Sequence, residues 1–408
     1  MSANIHWKKR FYLLWSGQAV SLLTSAMVQY AILWHLTAIT GSAVVLSLAA
    51  MMGFLPMALF SPFIGSLVDR FSRKRMMIFS DLGIALLAVL LAVLSLKGEL
   101  PLGLVYGVLF LRSLGTAFHQ PCLQAITPLI VPEDQLSRCA GMSQAFQSVS
   151  MILSPGLAAF AYGFMPLPLV IALDAVGAAA GILTVAFQSI PATPHDEIVE
   201  KQHVLKDALQ GLKYLHKQKG LFALVMIASL FSLAYVPAAS LYPLMVLGYF
   251  GGTTYHAGLV EIAFSAGMLA GGLLLGLWGG PKRRIHIMAA SAAVIGACLS
   301  GMGLLPPDGI LFFGLFTLLS GLAAPFFSAL FMALIQEKIR PDYLGRVLGV
   351  SSSLMSLACP LGLILAGGAA ERIGAGPWFL FSGILCVVCA ALCMLFPSVR
   401  RVDEHIKA

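Results

Sequence analysis

Charge is scarce in this chain. Only 10% of its 408 residues are Asp, Glu, Lys or Arg, while 59% are hydrophobic, a balance outside the range of soluble globular domains. Asparagine occurs once, at Asn4, so the inward-facing Asn arrays that suit a sugar site are missing. No glycine cluster leads into Lys-Ser or Lys-Thr. Gly267, Gly271, Gly272, Gly276 and Gly280 therefore read as helix-packing positions and not as a phosphate loop, which leaves an ion gradient or a partner ATPase as the energy source for uphill work. The apolar run after Arg10 is too long for a cleaved leader, and no small-residue cleavage site follows it. No grouping of nucleophile, base or metal ligands stands out, so neither enzymatic activity nor a cofactor or metal is expected. None of the seven cysteines falls in an outer loop, which argues against a disulfide framework. The stripe Cys386, Cys389 and Cys393 reads as packing.

What is present is apolar sequence in bilayer-length pieces. Twelve stretches can be read, at 11–35, 43–67, 76–96, 101–126, 139–163, 167–189, 220–247, 257–279, 285–305, 310–335, 347–371 and 377–397, each near the roughly 20 residues that one helical span requires. Proline and glycine inside several of them are tolerated in membrane helices, where neighbours re-satisfy the freed backbone groups. The fold class is an all-α polytopic membrane protein of twelve transmembrane helices. All basic residues except Lys97, Arg112 and Arg372 fall in segments on one side, which places both termini in the cytoplasm. Because those bases are spread over many short segments, the formal charge of +8 marks topology; no nucleic-acid patch is formed. Trp7, Trp15, Trp34, Trp278 and Trp378 lie near span ends, where indole rings favour the interface.

The chain also repeats at an offset of 208 residues: Arg73-Lys74-Arg75 aligns with Pro281-Lys282-Arg283, and Leu136-Ser137-Arg138 with Leu344-Gly345-Arg346. Two six-helix halves, 1–190 and 220–397, are expected on either side of a linker at 191–219, with a cytoplasmic tail at 398–408 and a monomeric protein overall. Such parallel repeats place a substrate site between the halves. His203 to Lys217 carries apolar residues at helical spacing and reads as an amphipathic helix on the membrane surface or a solvated linker helix.

Ionisable residues inside spans are costly and are functional candidates by default. Four occur: Asp81 in span 3, Arg112 in span 4, Asp174 in span 6 and Glu261 in span 8. Arg112, Thr116 and His119 share one helical face. A cation beside an acid lowers that acid's proton affinity, so motion between the two would couple protonation to conformation. Glu261 is the first choice for the proton-carrying acid, ahead of Asp174. Asp81 is close enough to the basic cluster to pair with it instead. Polar stripes run along span 1 (Gln18, Ser21, Ser25, Gln29) and span 5 (Gln144, Gln147, Ser148, Met151, Ser154), suited to cavity lining or to interhelical hydrogen bonds. Eighteen Met and twenty-five Phe suit a bulky amphipathic small molecule.

The polar junction Gly65 to Arg75 resembles the loop between helices 2 and 3 of the major facilitator superfamily, G-x-L-x-D-R-x-G-R-R/K-x-x-R/K. Gly65, Leu67, Asp69, Arg70, Arg73 and Lys74 match; Ser72 replaces the second glycine and Arg75 sits one place early. Arg112-Ser-Leu-Gly115 resembles the span-4 motif of proton-coupled members. Ser154-Pro155-Gly156-Leu-Ala158-Ala159 resembles a worn antiporter motif, G-P-x-x-G-G. Trp7 through Ser21, Gly53-Phe-Leu-Pro56 and Pro341-Asp-Tyr-Leu-Gly-Arg346 are similar to the macrolide-efflux branch of drug/proton antiporters. The resemblance implies proton-driven export of macrolides, or of a siderophore or other amphipathic metabolite. It also implies a cytoplasmic gate in which Asp69 faces the start of span 11 beside Arg346, with Arg70 and Arg73 reaching acids such as Glu133.

Overall fold

The computed structural model describes residues 6–70, 72–98, 100–132, 135–188, 204–278 and 283–402, and all secondary structure among them is helical. The order is α1 (His6–Thr40), α2 (Ala43–Arg70), α3 (Arg73–Ser95), α4 (Leu102–Ile130), α5 (Leu136–Phe164), α6 (Leu167–Ala186), α7 (Val204–Lys217) and α8 (Lys219–Ser240). A short α9 (Tyr242–Leu244) and a π-helical turn (Met245–Tyr249) extend α8. Then come α10 (Thr254–Trp278), α11 (Arg284–Gly303), α12 (Ile310–Lys338), α13 (Pro341–Ile373), α14 (Ala375–Leu395) and α15 (Pro397–Arg400). Eleven of these segments are long and apolar enough to cross a membrane. The 29-residue α5 is long enough as well, with its apolar stretch confined to Ile152–Phe164.

Local sequence sets where the helices break. Pro166 and Pro168 open α6, at positions whose N–H groups would lack intrahelical partners anyway. Gly374, at φ +90, separates α13 from α14 in a conformation that L side chains rarely adopt. Pro155, Pro237, Pro325 and Pro360 lie inside helices, as membrane helices allow. The polar junction of the sequence is mostly helix: α2 continues to Arg70 and α3 starts at Arg73. The repeat is visible in the element bounds, because Leu102–Ile130 and Ile310–Lys338 coincide end to end at the 208-residue offset.

The chain forms two compact units, one of residues 1–35 and 52–200, the other of 36–51 and 201–408. In the first unit, Phe11, Leu14 and Trp15 of α1 share a core with Met77 of α3 and Cys122 and Leu123 of α4. Glycine lets helices approach closely here: the side chain of Thr184 occupies the space beside Gly17, and that of Thr24 the space beside Gly177. The second unit uses the same device more heavily. Gly267 and Gly271 of α10 meet the backbone of α12 at Leu318 and Leu322, and Gly321 of α12 meets Phe264. Gly272 and Gly276 have nothing within 4 Å, so only part of the glycine run packs as expected.

The amphipathic α7 docks on the first turns of α13. Gly211 lies against the Arg346 backbone, Leu215 is buried, and Tyr214 stacks on Tyr343 with ring centroids 4.4 Å apart. Leu209 and Leu212 remain exposed on its outer side. The interfacial reading of the tryptophans fits Trp278 alone. Trp7, Trp15, Trp34 and Trp378 are buried in protein, and Trp15 stacks on Phe146 at 5.9 Å. Large rings near span ends are equally useful as core, and here packing wins. All seven cysteines are free, and the Cys386, Cys389 and Cys393 stripe faces inward.

Candidate functional site

In the first unit, α1, α3, α4 and α6 bring the intramembrane charges together. Arg112 on α4 is paired with Asp174 on α6, and both are buried, Asp174 completely. The guanidinium donates from Nη1 to Asp174 Oδ2, and from Nη2 to the carbonyl of Ser25 at 3.5 Å. Ser25 Oγ donates to Asp174 Oδ1 at 2.6 Å. Both carboxylate oxygens therefore have donors. A charge in so dry a place needs this closure, because an uncompensated one costs several kcal/mol. Thr116 Oγ1 returns a bond to Arg112 O at 3.1 Å, one turn along the same face.

A second pair lies seven residues further along α4, roughly 10.5 Å at 1.5 Å per residue. His119 Nε2 stands 3.4 Å from Asp81 Oδ1 of α3, with each side chain 5% exposed. Gln18 of α1 is fully buried beside it and donates from Nε2 to Gly181 O of α6 at 3.4 Å. A Cβ on Gly181 would sit 3.2 Å from Asp81 Oδ2, 3.2 Å from Gln18 Nε2 and 3.3 Å from the Ser21 Cβ. Gln18 and Ser21 thus lie on α1 beside the second pair and Ser25 bonds the first, all on the stripe that the sequence marks. Of the roles open to that stripe, interhelical hydrogen bonding describes Gln18 and Ser25; Gln29 approaches Gly53, its Nε2 3.7 Å from where a Cβ would stand.

Asp81 does not pair with the basic cluster. Arg73 donates to Ala125 O at 3.0 Å, and Lys74 to Ala186 O and Gln188 O at 2.8 and 2.7 Å. Lys74 thus caps the last carbonyls of α6, where the helix dipole favours cations, and Arg73 bonds α4 one turn before its final turn. Arg346 is exposed, its guanidinium 5.8 Å from the Tyr343 ring. Gly65, Asp69 and Arg70 lie on the last turns of α2, but their side chains fall outside the described residues, as do Glu133 and the side chains of Gln144, Ser148 and Met151. Gln147 is partly buried. Ser154 Oγ lies 3.2 Å from Leu23 O, tying α5 to α1, while Pro155 is buried and Gly156 partly so.

In the second unit Glu261 on α10 is partly buried, near enough to Tyr235 and Tyr242 for its charge to act on both hydroxyls. Tyr242 stacks on Phe379 and meets Phe313 edge-on, at centroid distances of 5.8 and 5.5 Å. His119 is a member of the site that the sequence does not single out as one of its intramembrane charges. Its position one face-repeat from Arg112 was the available signal, but its partner on another helix was not visible.

A twelve-helix repeat with buried intramembrane ion pairs is a transporter architecture, and comparison with known proteins decides which one. The family model of the Major Facilitator Superfamily matches residues 14–363 and, separately, 233–407. The chain belongs to the major facilitator superfamily. Within that superfamily it is 46% identical over 398 residues to Macrolide efflux protein A of Streptococcus pyogenes, covering 98% of both chains. This places it in the macrolide-efflux branch. It is 25% identical over 387 residues to Multidrug efflux pump Tap of Mycolicibacterium fortuitum, with 91% of each covered. Among solved structures a mutant of the nucleoside transporter NupG superposes with a TM-score of 0.77 at 13% identity, over 96% of this facilitator and all of that chain. That last likeness concerns the fold alone. The facilitator is therefore a multi-pass membrane transporter of small molecules.

Proposed function

We propose that this facilitator exports macrolide antibiotics in exchange for protons, alternating between inward- and outward-open forms in the bacterial cytoplasmic membrane. The near-complete alignment with Macrolide efflux protein A, at 46% identity, carries the substrate assignment. The absence of any phosphate loop in the sequence supports a gradient as the energy source. The buried Arg112–Asp174 pair, an intramembrane ion pair that joins α4 to α6, supports an ion-coupled mechanism, since such charges are retained inside spans chiefly for function. Macrolides carry a dimethylamino group, which Glu261 and the ring faces beside it are chemically suited to receive. The scattered basic residues favour cytoplasmic termini, and the protein is read as acting as a monomer.

The test is accumulation of labelled erythromycin in an efflux-deficient host. Expression should lower it, and a protonophore should restore it. Unchanged accumulation at verified expression removes the macrolide assignment. Lowered accumulation that survives the protonophore points instead to a partner ATPase.

A further inference from the structure

The two buried pairs differ in net charge, and that difference decides where a proton can rest. Arg112 and Asp174 are a cation and an anion, already neutral together, with both carboxylate oxygens occupied by donors. Adding a proton to Asp174 would leave a net positive charge in a dry interior. Asp81 and His119 are different. With the imidazole neutral, the pair carries one negative charge, and one added proton makes it neutral. Burial disfavours net charge, so the proton is better placed here.

The polar atoms around the second pair are incompletely used. Asp81 Oδ2 and Gln18 Oε1 are buried without hydrogen-bond partners, and His119 Nε2 has only its 3.4 Å approach to Asp81 Oδ1, although buried polar groups are almost always paired. Asp81 Oδ2 and the Gln18 amide approach each other where α6 offers no side chain, at Gly181. From α4 and α6 the facing charges are Arg112 and Asp174, two turns away and bound to each other. From α1 come the uncharged Gln18 and Ser21. At the base of α3, Arg73 and Lys74 are engaged by main-chain carbonyls. No other charged group among the described residues is recorded against the pair.

We propose that Asp81 and His119 form the exchangeable proton site of this transporter, with Gln18 and Ser21 of α1 beside them and Ser25 of the same stripe at the Arg112–Asp174 pair. Uptake of one proton from water at the basic ends of the helices converts carboxylate plus imidazole into carboxylate plus imidazolium; release reverses it, and no other bond is made or broken. Asp174 then serves as a positioning residue for Arg112 and not as the proton carrier. The inference rests on transport being proton-driven, but the site itself can be tested without substrate.

Purified full-length protein, with no drug present, is titrated while infrared difference spectra are recorded. Wild type should show imidazole bands replaced by imidazolium bands together with a shift of the carboxylate stretch that faces them, and these changes should vanish in Asp81→Asn and in His119→Gln. They should persist in the control His35→Gln, whose ring contacts Tyr162 at 2.8 Å on the far part of α1. Gly181→Ala, which crowds Asp81 Oδ2 and Gln18 without removing a charge, should shift the midpoint by about one pH unit, roughly a tenfold change in proton affinity. Monodisperse elution of each variant establishes that it is folded, and Gly181→Ala provides the readout if Asp81→Asn is not. In proteoliposomes, His119→Gln should flatten the pH profile of erythromycin transport. Unchanged titration bands in Asp81→Asn, His119→Gln and Gly181→Ala overturn the site. Proper titration with no erythromycin transport by wild type overturns the substrate reading only.

Discussion

Replacing Asp174 by Asn removes one charge from a pair that is closed on every side, so its cost can be argued from geometry. Arg112 is left with a guanidinium 7% exposed, the Ser25 carbonyl at the edge of bonding distance, and a neutral amide where its counter-ion stood. Breaking a buried pair by removing one partner costs about 3–5 kcal/mol. Insertion scales give about 2.5–3.5 kcal/mol for an uncompensated cation at mid-span. The two ranges meet near 3 kcal/mol, and the bond from Ser25 to the new amide oxygen recovers part of that. A loss of about 2–3 kcal/mol is expected. The double variant Arg112→Gln with Asp174→Asn restores neutrality, so it should be more stable than either single variant. That ordering is the discriminating observation, because contacting residues in one network show coupling of about 0.5–3 kcal/mol. Thermal unfolding of the three proteins in one detergent supplies the measurement. If the double variant loses the sum of the two single losses, the pair is not electrostatically closed and the reasoning fails.

Arg112→Ala should abolish drug efflux while leaving folded protein in the membrane; export near the wild-type rate would make Arg112 structural. Gly271→Val places a branched side chain into the backbone of α12 at Leu322 and should destabilise by about 1–3 kcal/mol or more, as overpacking does. Gly272→Val, with open space at its Cα, should change stability by less than about 0.5 kcal/mol, as surface substitutions do; equal effects would refute the assigned packing face. Glu371→Gln weakens a carboxylate that accepts from Ser42 Oγ at 3.0 Å and Val44 N at 3.3 Å, at the N-terminus of α2. Since the contact is exposed, the loss should be at most about 1 kcal/mol, read as a broader spin-label distance distribution between α2 and α13 at that end.

Much of the architecture was legible because membrane helices announce themselves by length. The spans are apolar runs near 20 residues, and their order follows from the polar breaks. Individual contacts were less accessible. Arg112, Asp174 and Asp81 each declare themselves as ionisable residues in apolar helices, yet which acid meets which base depends on the rotation of α3 and α6 about their axes. Periodicity in a uniformly apolar helix gives little information on rotation. Asp81 illustrates this: its distance along the chain favours Arg73 or Lys74, but α3 turns it toward His119. Those two bases are drawn to carbonyls of α4 and α6, whose positions only the fold provides. The tryptophans misled for a related reason, since a ring near a span end can face lipid or protein and the sequence is the same.

The internal repeat gives these charges a further meaning. At the 208-residue offset, Arg112 and Asp174 correspond to Ser320 and Ser382, and Asp81 and His119 to Ala289 and Phe327. Both serines are buried, and Phe327 stacks on Phe231 at 4.3 Å. The second half thus keeps the helices and discards both ion pairs, filling one site with small hydroxyls and the other with aromatic packing. Symmetric architecture does not require the charges, because the second unit packs α10 on α12 and α11 on α14 through glycines without them. A feature that costs desolvation energy and is dispensable for folding in one copy has a reason other than stability in the other. Under the proposed mechanism that reason is the proton: it is handled inside the first half, while Glu261 with Tyr235 and Tyr242 equips the second for an organic cation.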